Sequence, residues 1–238
     1  DNLLTVVAPD ATLFSASIGP LDGERSGQPQ ECITTQHIAL RNSGDVRAIN
    51  FSFGEPLVSD PRPNASLDGN ALLTQCIDWS SMAHKALYVI AGNQGGGGIP
   101  IPTDNFNGIN VAYSTQVDGR FVKVDYANAS SEPTFSPRGT SEPESNVGSR
   151  RSINLVAPGD DIRMLNPDGQ ETFSSGSSFA APHVAATVAL LQEWGDRNIR
   201  TASWSLDARE PIVMKAVLIN AEAKLMNEGS GNNIGMGK

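Results

Sequence analysis

The sequence predicts an α/β fold in which a mostly parallel β-sheet carries helices on both faces. Short apolar runs alternate with stretches of helical periodicity along most of the chain, and this alternation is typical of strands joined by helical crossovers. Two of the apolar runs end at a glycine, Gly54 and Gly92, where the chain can leave a sheet. In such sheets ligands bind outside the carboxyl ends of the strands, so we expect the functional residues there.

The individual elements follow from these patterns in chain order. We expect strands at residues 11–17, 46–52, 87–91, 108–114 and 153–156. We expect helices at residues 31–42, 66–85 and 178–194, and a last one from about 211 whose apolar stripe reaches 225. Pro182 falls in the first turn of the third helix, where a missing N–H costs nothing. The whole chain, 1–238, is expected to form one domain, with residues 130–151 as a candidate surface insertion.

Composition excludes several classes of function. The 238-residue chain has 17 Lys plus Arg against 26 Asp plus Glu, which gives a net charge of −9. This acid excess argues against a surface that binds nucleic acid. No apolar run approaches the ~18–20 residues of a membrane span. We therefore expect neither nucleic acid nor membrane as a partner.

The two cysteines leave an alternative open. Cys32 and Cys76 fall in two of the predicted helices, and they can pair if their Cα atoms lie within about 7 Å. Free cysteine is commonly buried as a small apolar residue. The sequence favours two buried thiols over a disulfide.

The segment that carries chemistry is residues 173–191, FSSGSSFAAPHVAATVALL. Ser178 stands in the first turn of a predicted helix, where backbone N–H groups and positive potential are available. A serine so placed can act as a nucleophile whose developing oxyanion meets a backbone N–H. On local chemistry alone the favoured interpretation is an ordinary helix N-cap.

The longer string changes that interpretation. Residues 176–185, GSSFAAPHVA, closely resemble the active-site serine motif of the subtilisin-like serine proteases, or subtilases, which is usually G-T-S-x-A-x-P-H-V-A-G. The departures are Ser177 for Thr and Ala186 for the closing Gly. Further segments resemble the family in the right order: 7–11 (VAPDA), 50–54 (NFSFG), 91–93 (AGN) and 155–159 (LVAPG). The resemblance covers the chain from Val7 to about Leu225 and implies a doubly wound α/β domain.

The resemblance also implies roles for individual residues. Ser178 would be the nucleophile of a serine endopeptidase, and Asn93 would donate its side-chain amide to the oxyanion together with the N–H of Ser178. The segment Ser52-Phe53-Gly54 would offer its backbone edge to an extended peptide, as in β-augmentation. Gly92 would help to wall the pocket for the residue that precedes the scissile bond.

Two members of the expected triad are not found. Subtilases carry an Asp in D-[ST]-G and a His in H-G-T-H, and neither string occurs here. The three histidines, His37, His84 and His183, are each better explained as packing or surface residues of helices. We therefore expect an N-terminally truncated domain that is inactive or nearly so by itself. Its missing segment would act in cis or as a second chain, and its loss should expose apolar surface.

Alternatives remain open beside this one. The chain could be a non-catalytic subtilase-like module that binds peptides or serves as a scaffold. An α/β-hydrolase needs G-x-S-x-G, and the segment here ends in Ala180. No cofactor is expected. Subtilases often bind calcium, but no motif here supports it, because the loop acids Asp118, Asp160, Asp161 and Asp168 show no calcium-loop spacing. The expected partner is a peptide or protein substrate, and the resemblance implies an extracellular or periplasmic location.

Overall fold

A computed structural model describes residues 6–18, 27–92, 101–125, 134–135, 152–199, 209–221, 223–225 and 234–236. Asn93 and nearly all of the candidate insertion at 130–151 lie outside these described residues. The single-domain prediction and its insertion stay predictions.

The described elements alternate between strands and helices through most of the chain. The helices are α1 (Gln28–Ala39), the single turn α2 (Arg41–Gly44), α3 (Leu72–His84), α4 (Ser177–Ile199) and α5 (Pro211–Ala221), with a short 3-10 turn at Leu57–Ser59. The strands are β1 (Ala48–Phe51), β2 (Leu87–Ala91), β3 (Ile109–Val117), β4 (Arg120–Asp125), β5 (Thr134–Phe135), β6 (Leu155–Pro158), β7 (Ile162–Leu165), β8 (Glu171–Ser174), β9 (Ala223–Leu225) and β10 (Ile234–Met236).

The main sheet runs in the order β1-β2-β3-β6-β10-β9. All neighbouring pairs in this order are parallel except β10 and β9. Strands β4 and β5 extend β3 as antiparallel neighbours, and β7 pairs with β8 in a separate hairpin. The predicted mostly parallel α/β sheet is confirmed.

Helices cover both faces of this sheet, as its side-chain alternation requires. On one face Leu87, Val89 and Ala91 of β2 pack in a core with α4 and α5. On the other face Tyr88 and Ile90 of the same strand pack with α1, β1 and α3. The strand is buried along its whole length, which explains why its sequence is continuously apolar.

Helix α4 is fastened to β1 near both of its ends. At its C-terminal part Arg47, which precedes β1, donates Nη1–H to Gln192 Oε1 at 3.1 Å and pairs with Asp196 at 3.5 Å. At its N-terminus the Ser52 hydroxyl, just after β1, donates to the carbonyl oxygen of Ser178 at 2.9 Å. The helix and the strand are therefore held in one register.

The preferred interpretation of the cysteines is wrong. Cys32 of α1 and Cys76 of α3 form a disulfide with a Cα–Cα distance of 5.9 Å. The two helices pack side by side on one face of the sheet, a proximity that neither cysteine's local sequence reveals. Gln36 donates Nε2–H to the Cys76 sulfur at 3.1 Å, and its Oε1 accepts from His84 Nε2 at 3.0 Å.

The predicted strand at 11–17 is also wrong. These residues adopt no regular secondary structure, and Leu13 is 89% exposed. An alternating pattern makes a strand only when a neighbour supplies hydrogen bonds, and among the described residues this segment has no sheet partner.

Two predicted helix boundaries move for local reasons. The helix predicted from 66 begins only at Leu72, because Asp68 accepts the Asn70 N–H at 3.0 Å and Gly69 has a positive φ of 80°, which together make a turn. The last helix ends at Ala221, and Leu225 lies in β9 instead of on the helical stripe.

Candidate active site

Close contacts between glycines fix the start of α4, where Ser178 stands. The Gly176 N–H donates to the Gly159 carbonyl at 2.8 Å, and Gly176 has a φ of 149°, which side chains rarely adopt. A Cβ on Gly159 would lie 2.5 Å from the Tyr113 Cβ and 2.7 Å from the Gly176 carbonyl oxygen. Only glycine lets the end of β6 approach the helix start this closely.

Ser178 is half-buried in the first turn of α4, and its neighbour Ser177 ties this turn to β2. The buried Ser177 hydroxyl donates to the carbonyl oxygen of Gly92 at 2.6 Å. Gly92 is itself packed tightly, since a Cβ there would lie 2.2 Å from Ile153 Cδ1. The structure thus brings Ser178, Ser52 and Gly92 together at the carboxyl ends of β1 and β2.

The segment Ser52-Phe53-Gly54 leaves the sheet directly after β1 and is half-buried. Asn50 donates Nδ2–H to the Ser52 hydroxyl at 3.0 Å, which orients the hydroxyl toward Ser178. Beyond Gly54, the N–H of Glu55 donates to Ile101 at 2.8 Å, and the N–H of Ile101 donates back at 2.7 Å. The chain after β1 is therefore joined to the chain that follows β2.

Ion pairs and hydrogen bonds to aspartates hold the loop at residues 55–71. Arg62 donates to both carboxylate oxygens of Asp60, at 3.2 Å to Oδ1 and 2.8 Å to Oδ2, and to Asp68 at 3.0 Å. The hydrogen bonds from Arg62 lower the pKa of Asp60. Hydrogen bonds from Asn70, with a smaller contribution from Arg62, lower the pKa of Asp68 to about 2. Asp104 fastens the far end of the loop by accepting the Gly69 N–H at 2.7 Å.

An acidic residue, Asp160, contacts the residues that lead into α4. The Ser175 hydroxyl donates to Asp160 at 2.6 Å and accepts the N–H of Asp161 at 2.9 Å. The bonds from Ser175 and then Thr115 lower the pKa of Asp160. This carboxylate thus stays ionised near the candidate nucleophile and holds the loop between β6 and β7 against the one that leads into α4.

The three histidines, His37, His84 and His183, all lie on helices. The His183 ring nitrogen Nδ1 pairs with the Phe179 carbonyl at 2.8 Å, within its own helix. His84 pairs with Gln36 and His37 is exposed on α1, on the sheet face opposite α4. That they serve as packing or surface residues stays a prediction.

Sequence reasoning missed three features of the site: the bond from Ser177 to Gly92, the clamp between Ser175 and Asp160, and the pairing of Glu55 with Ile101. Ser177 could have been suspected, because it keeps a hydroxyl where the family motif has threonine. The other two depend on loops far apart in sequence and leave no local signal.

Neither a metal cluster nor a membrane span is found in the described part of the chain. No group of three or more His, Cys, Asp or Glu there could hold a metal ion. Within the same ranges no helix is both long and apolar enough to cross a membrane.

Known proteins that resemble this chain are proteases of one family. The model of the subtilase family matches residues 2–237. Subtilisin E of Bacillus subtilis (strain 168) is 27% identical over 199 residues, which cover 82% of this chain and 43% of that protein. The intracellular serine protease of Paenibacillus polymyxa is 38% identical over 87 residues, or 35% of this chain and 25% of that protein.

Solved structures share the fold at low identity. A cold-adapted subtilisin-like serine proteinase has a TM-score of 0.56 at 16% identity, covering 90% of this chain and 62% of the other. The prenylagaramide maturation protease PagA has a TM-score of 0.59 at 20% identity, covering 90% and 66%. The chain spans about two fifths of the length of subtilisin E. Since the family model accounts for nearly every residue, the chain belongs to the subtilase family of subtilisin-like serine proteases.

Proposed function

We propose that this chain carries the nucleophile and substrate-binding side of a serine endopeptidase, with Ser178 as the attacking group. The observation that carries the proposal is the meeting of three elements at one sheet edge. Ser178 lies in the first turn of α4, Ser52 bonds to its carbonyl oxygen, and Gly92 accepts the bond from Ser177. First-turn N–H groups of a helix point toward developing negative charge, which is what acyl transfer requires.

The chemistry is acyl transfer in two steps. The Ser178 Oγ bonds to the carbonyl carbon of the scissile peptide while its proton passes to a base. The resulting oxyanion collapses, the C–N bond breaks, and the leaving amine takes the proton back. Water then attacks the acyl-enzyme by the same route and frees Ser178.

For the oxyanion we propose two donors, the Ser178 N–H and the side-chain amide of Asn93. Support for Asn93 comes from its neighbour Gly92, which the Ser177 bond holds beside the start of α4. We expect Asn93→Ala to slow turnover about 10²–10³-fold, the range for removing such a donor in a subtilisin.

The peptide substrate would lie along Ser52-Phe53-Gly54 as an added strand. This segment prolongs β1 past the end of its pairing with β2, so its backbone groups are in position for β-augmentation. Gly92, at the end of β2, would wall the pocket for the residue before the scissile bond.

A base and its orienting carboxylate would come from a further segment of the same domain, in cis or as a second chain. Support comes from the described residues, in which β1 stands at the end of the strand order and is paired on one side only. A strand added at that edge would bring new side chains to the sheet beside Ser178. We expect this chain without such a segment to be inactive or nearly so.

We further propose that the protein works outside the cytoplasm, in an extracellular or periplasmic compartment. The disulfide between Cys32 and Cys76 supports this, because such bonds persist in oxidising environments. No cofactor is needed for the proposed chemistry.

A fluorophosphonate probe tests the function. The full-length protein should react covalently at Ser178, with labelling abolished in Ser178→Ala and retained in Ser43→Ala, a matched control on α2. If the full-length protein stays unlabelled while a control subtilisin reacts, the proposal fails. The chain would then be a peptide-binding or scaffold module, an alternative that the positions of the three histidines favour.

A further inference from the structure

A cavity of about 170 Å³ lies at the end of the sheet opposite the Ser178 region. The last turn of α3, the residues that lead into β3 and the first turns of α5 form it together. Because α3 ends just before β2 begins, and β2 runs parallel to β3, the cavity is at the amino ends of these strands. Its lining includes Ser81, Met82, Phe106, Asn107, Ile212 and Lys215.

The mouth of the cavity is apolar and exposed. Met82 is 43% exposed, Phe106 57% and Ile212 62%, so each of the three elements contributes one apolar side chain to the same rim. Apolar side chains gathered around a concave surface, with a few polar groups inside, are typical of ligand sites.

The polar group inside the cavity is the hydroxyl of Ser81. This residue is fully buried, and its Oγ has no hydrogen-bond partner among the residues that the structure describes. The neighbouring Ser80 differs, because its buried hydroxyl bonds to the Tyr88 hydroxyl at 2.7 Å. Burying a hydroxyl without a partner is unfavourable, so a molecule that bonds to Ser81 would gain from entering the cavity.

The charge at the cavity is already engaged by the protein. Lys215 donates Nζ–H to the carbonyl oxygens of Phe106, at 2.8 Å, and Gly108, at 2.6 Å. These bonds fasten α5 to the residues that precede β3 and direct the ammonium group at backbone dipoles. The cavity is therefore better suited to a neutral ligand than to an anion.

We propose that this cavity binds a small neutral aromatic molecule that carries one hydroxyl group, a simple phenol. Apolar cavities of about 150 Å³ take up benzene, so the volume suits a single ring. An aromatic ring is favoured over an aliphatic one because the Phe106 ring and the Met82 sulfur both interact well with aromatic groups. The ligand hydroxyl would bond to Ser81.

The test is a ligand-observed NMR titration of the full-length protein with phenol and with benzene, which has the same ring without the hydroxyl. We expect phenol to bind about 2- to 10-fold more tightly, the scale of one net hydrogen bond between neutral groups. Ser81→Ala should abolish this difference. It should also fold normally, because the hydroxyl that it removes makes no hydrogen bond within the described residues.

A second variant tests the position of the ligand. Ile212→Trp fills the mouth of the cavity and should abolish the binding of both compounds. Val217→Trp is the matched control, since Val217 is exposed on the same helix but is not among the residues that line the cavity. It should leave both affinities unchanged.

Each outcome supports or overturns the proposal. It is overturned if neither compound binds, if binding survives in Ile212→Trp, or if the two affinities are equal in the unaltered protein. A phenol preference that persists in Ser81→Ala overturns the role of Ser81. If Ile212→Trp does not fold, the comparison with Ser81→Ala still decides.

A third compound, N-acetyltyrosine amide, carries the same ring and hydroxyl on a peptide backbone. Tighter binding of this compound than of phenol would assign the cavity to a tyrosine side chain of another protein and overturn the small-molecule ligand. None of these measurements depends on reaction at Ser178, so failure of the proposed function would leave this inference intact.

Discussion

The two parts of the chain that flank the start of α4, where Ser178 stands, are built in different ways. On the β1 side, residues 52–71 are held by Arg62 with the nearby Asp60 and Asp68 and by Asp104 with Gly69, and a disulfide joins the following helix, α3, to α1. On the β6 side, residues 159–176 are held by close backbone contact between Gly159 and Gly176. One side depends on cross-links and charge, the other on the absence of side chains, so different perturbations should affect each.

The largest expected effect is loss of the disulfide on the β1 side. Cys32 and Cys76 are 44 residues apart, and closing a loop of that length restricts the unfolded chain by about 4 kcal/mol. Cys32→Ser with Cys76→Ser should lower the free energy of unfolding in urea by about that amount. The unaltered protein with reductant should show the same loss, and equal stability with and without reductant would contradict the prediction.

The next effect concerns the β6 side. Gly159→Ala places a methyl group against Tyr113 and the Gly176 carbonyl, and such overpacking costs about 1–3 kcal/mol. We expect lower stability and slower fluorophosphonate labelling of the full-length protein, because the start of α4 must shift. Gly195→Ala is the control: it lies inside α4 with open space at the Cβ position, so it should stabilise by about 0.5–1 kcal/mol. Equal effects of the two substitutions would show that close contact does not hold this side.

A third effect is expected at Ser177, which ties the start of α4 to the end of β2. Ser177→Ala removes the hydroxyl bonded to the buried Gly92 carbonyl, and leaving such a group unsatisfied costs about 1–3 kcal/mol. Labelling at Ser178 should slow, since the end of β2 is no longer tied to the helix. Ser177→Thr keeps the hydroxyl and should restore both stability and labelling; a threonine variant as impaired as the alanine variant would count against the bond.

The smallest expected effect is the change of stability with pH that comes from the carboxylates on the β1 side. Arg62 and Asn70 hold the pKa of Asp60 and Asp68 below that of an unfolded aspartate, which is ~3.9. Their stabilising contribution is therefore complete above about pH 4 and is lost as pH falls toward about 2, the folded pKa of Asp68. Asp60→Asn with Asp68→Asn should flatten the melting temperature across this interval. A profile that matches the unaltered protein would contradict the assignment.

Elements encoded by a continuous stretch of sequence could be predicted, whereas those that depend on a distant neighbour could not. The buried strand at 87–91 and the helix bearing Ser178 are encoded by continuous local patterns, and the structure has both. The segment 11–17 has a strand pattern but becomes a strand only with a neighbour, which its own residues cannot supply.

The site shows the same limit. The motif around Ser178 is contiguous, so residue type and order alone point to it. The disulfide and the Glu55–Ile101 pair join residues tens of positions apart. Such contacts depend on how helices and loops stack in three dimensions, so residue type and spacing alone do not reveal them.

The double fastening of α4 to β1 has a mechanical consequence. Arg47 contacts Gln192 and Asp196 near one end of the helix, and Ser52 donates to Ser178 at the other. The strand and the helix should therefore move together as one rigid body. Any strand that docks on the outer edge of β1 would then hold a fixed position relative to the Ser178 hydroxyl.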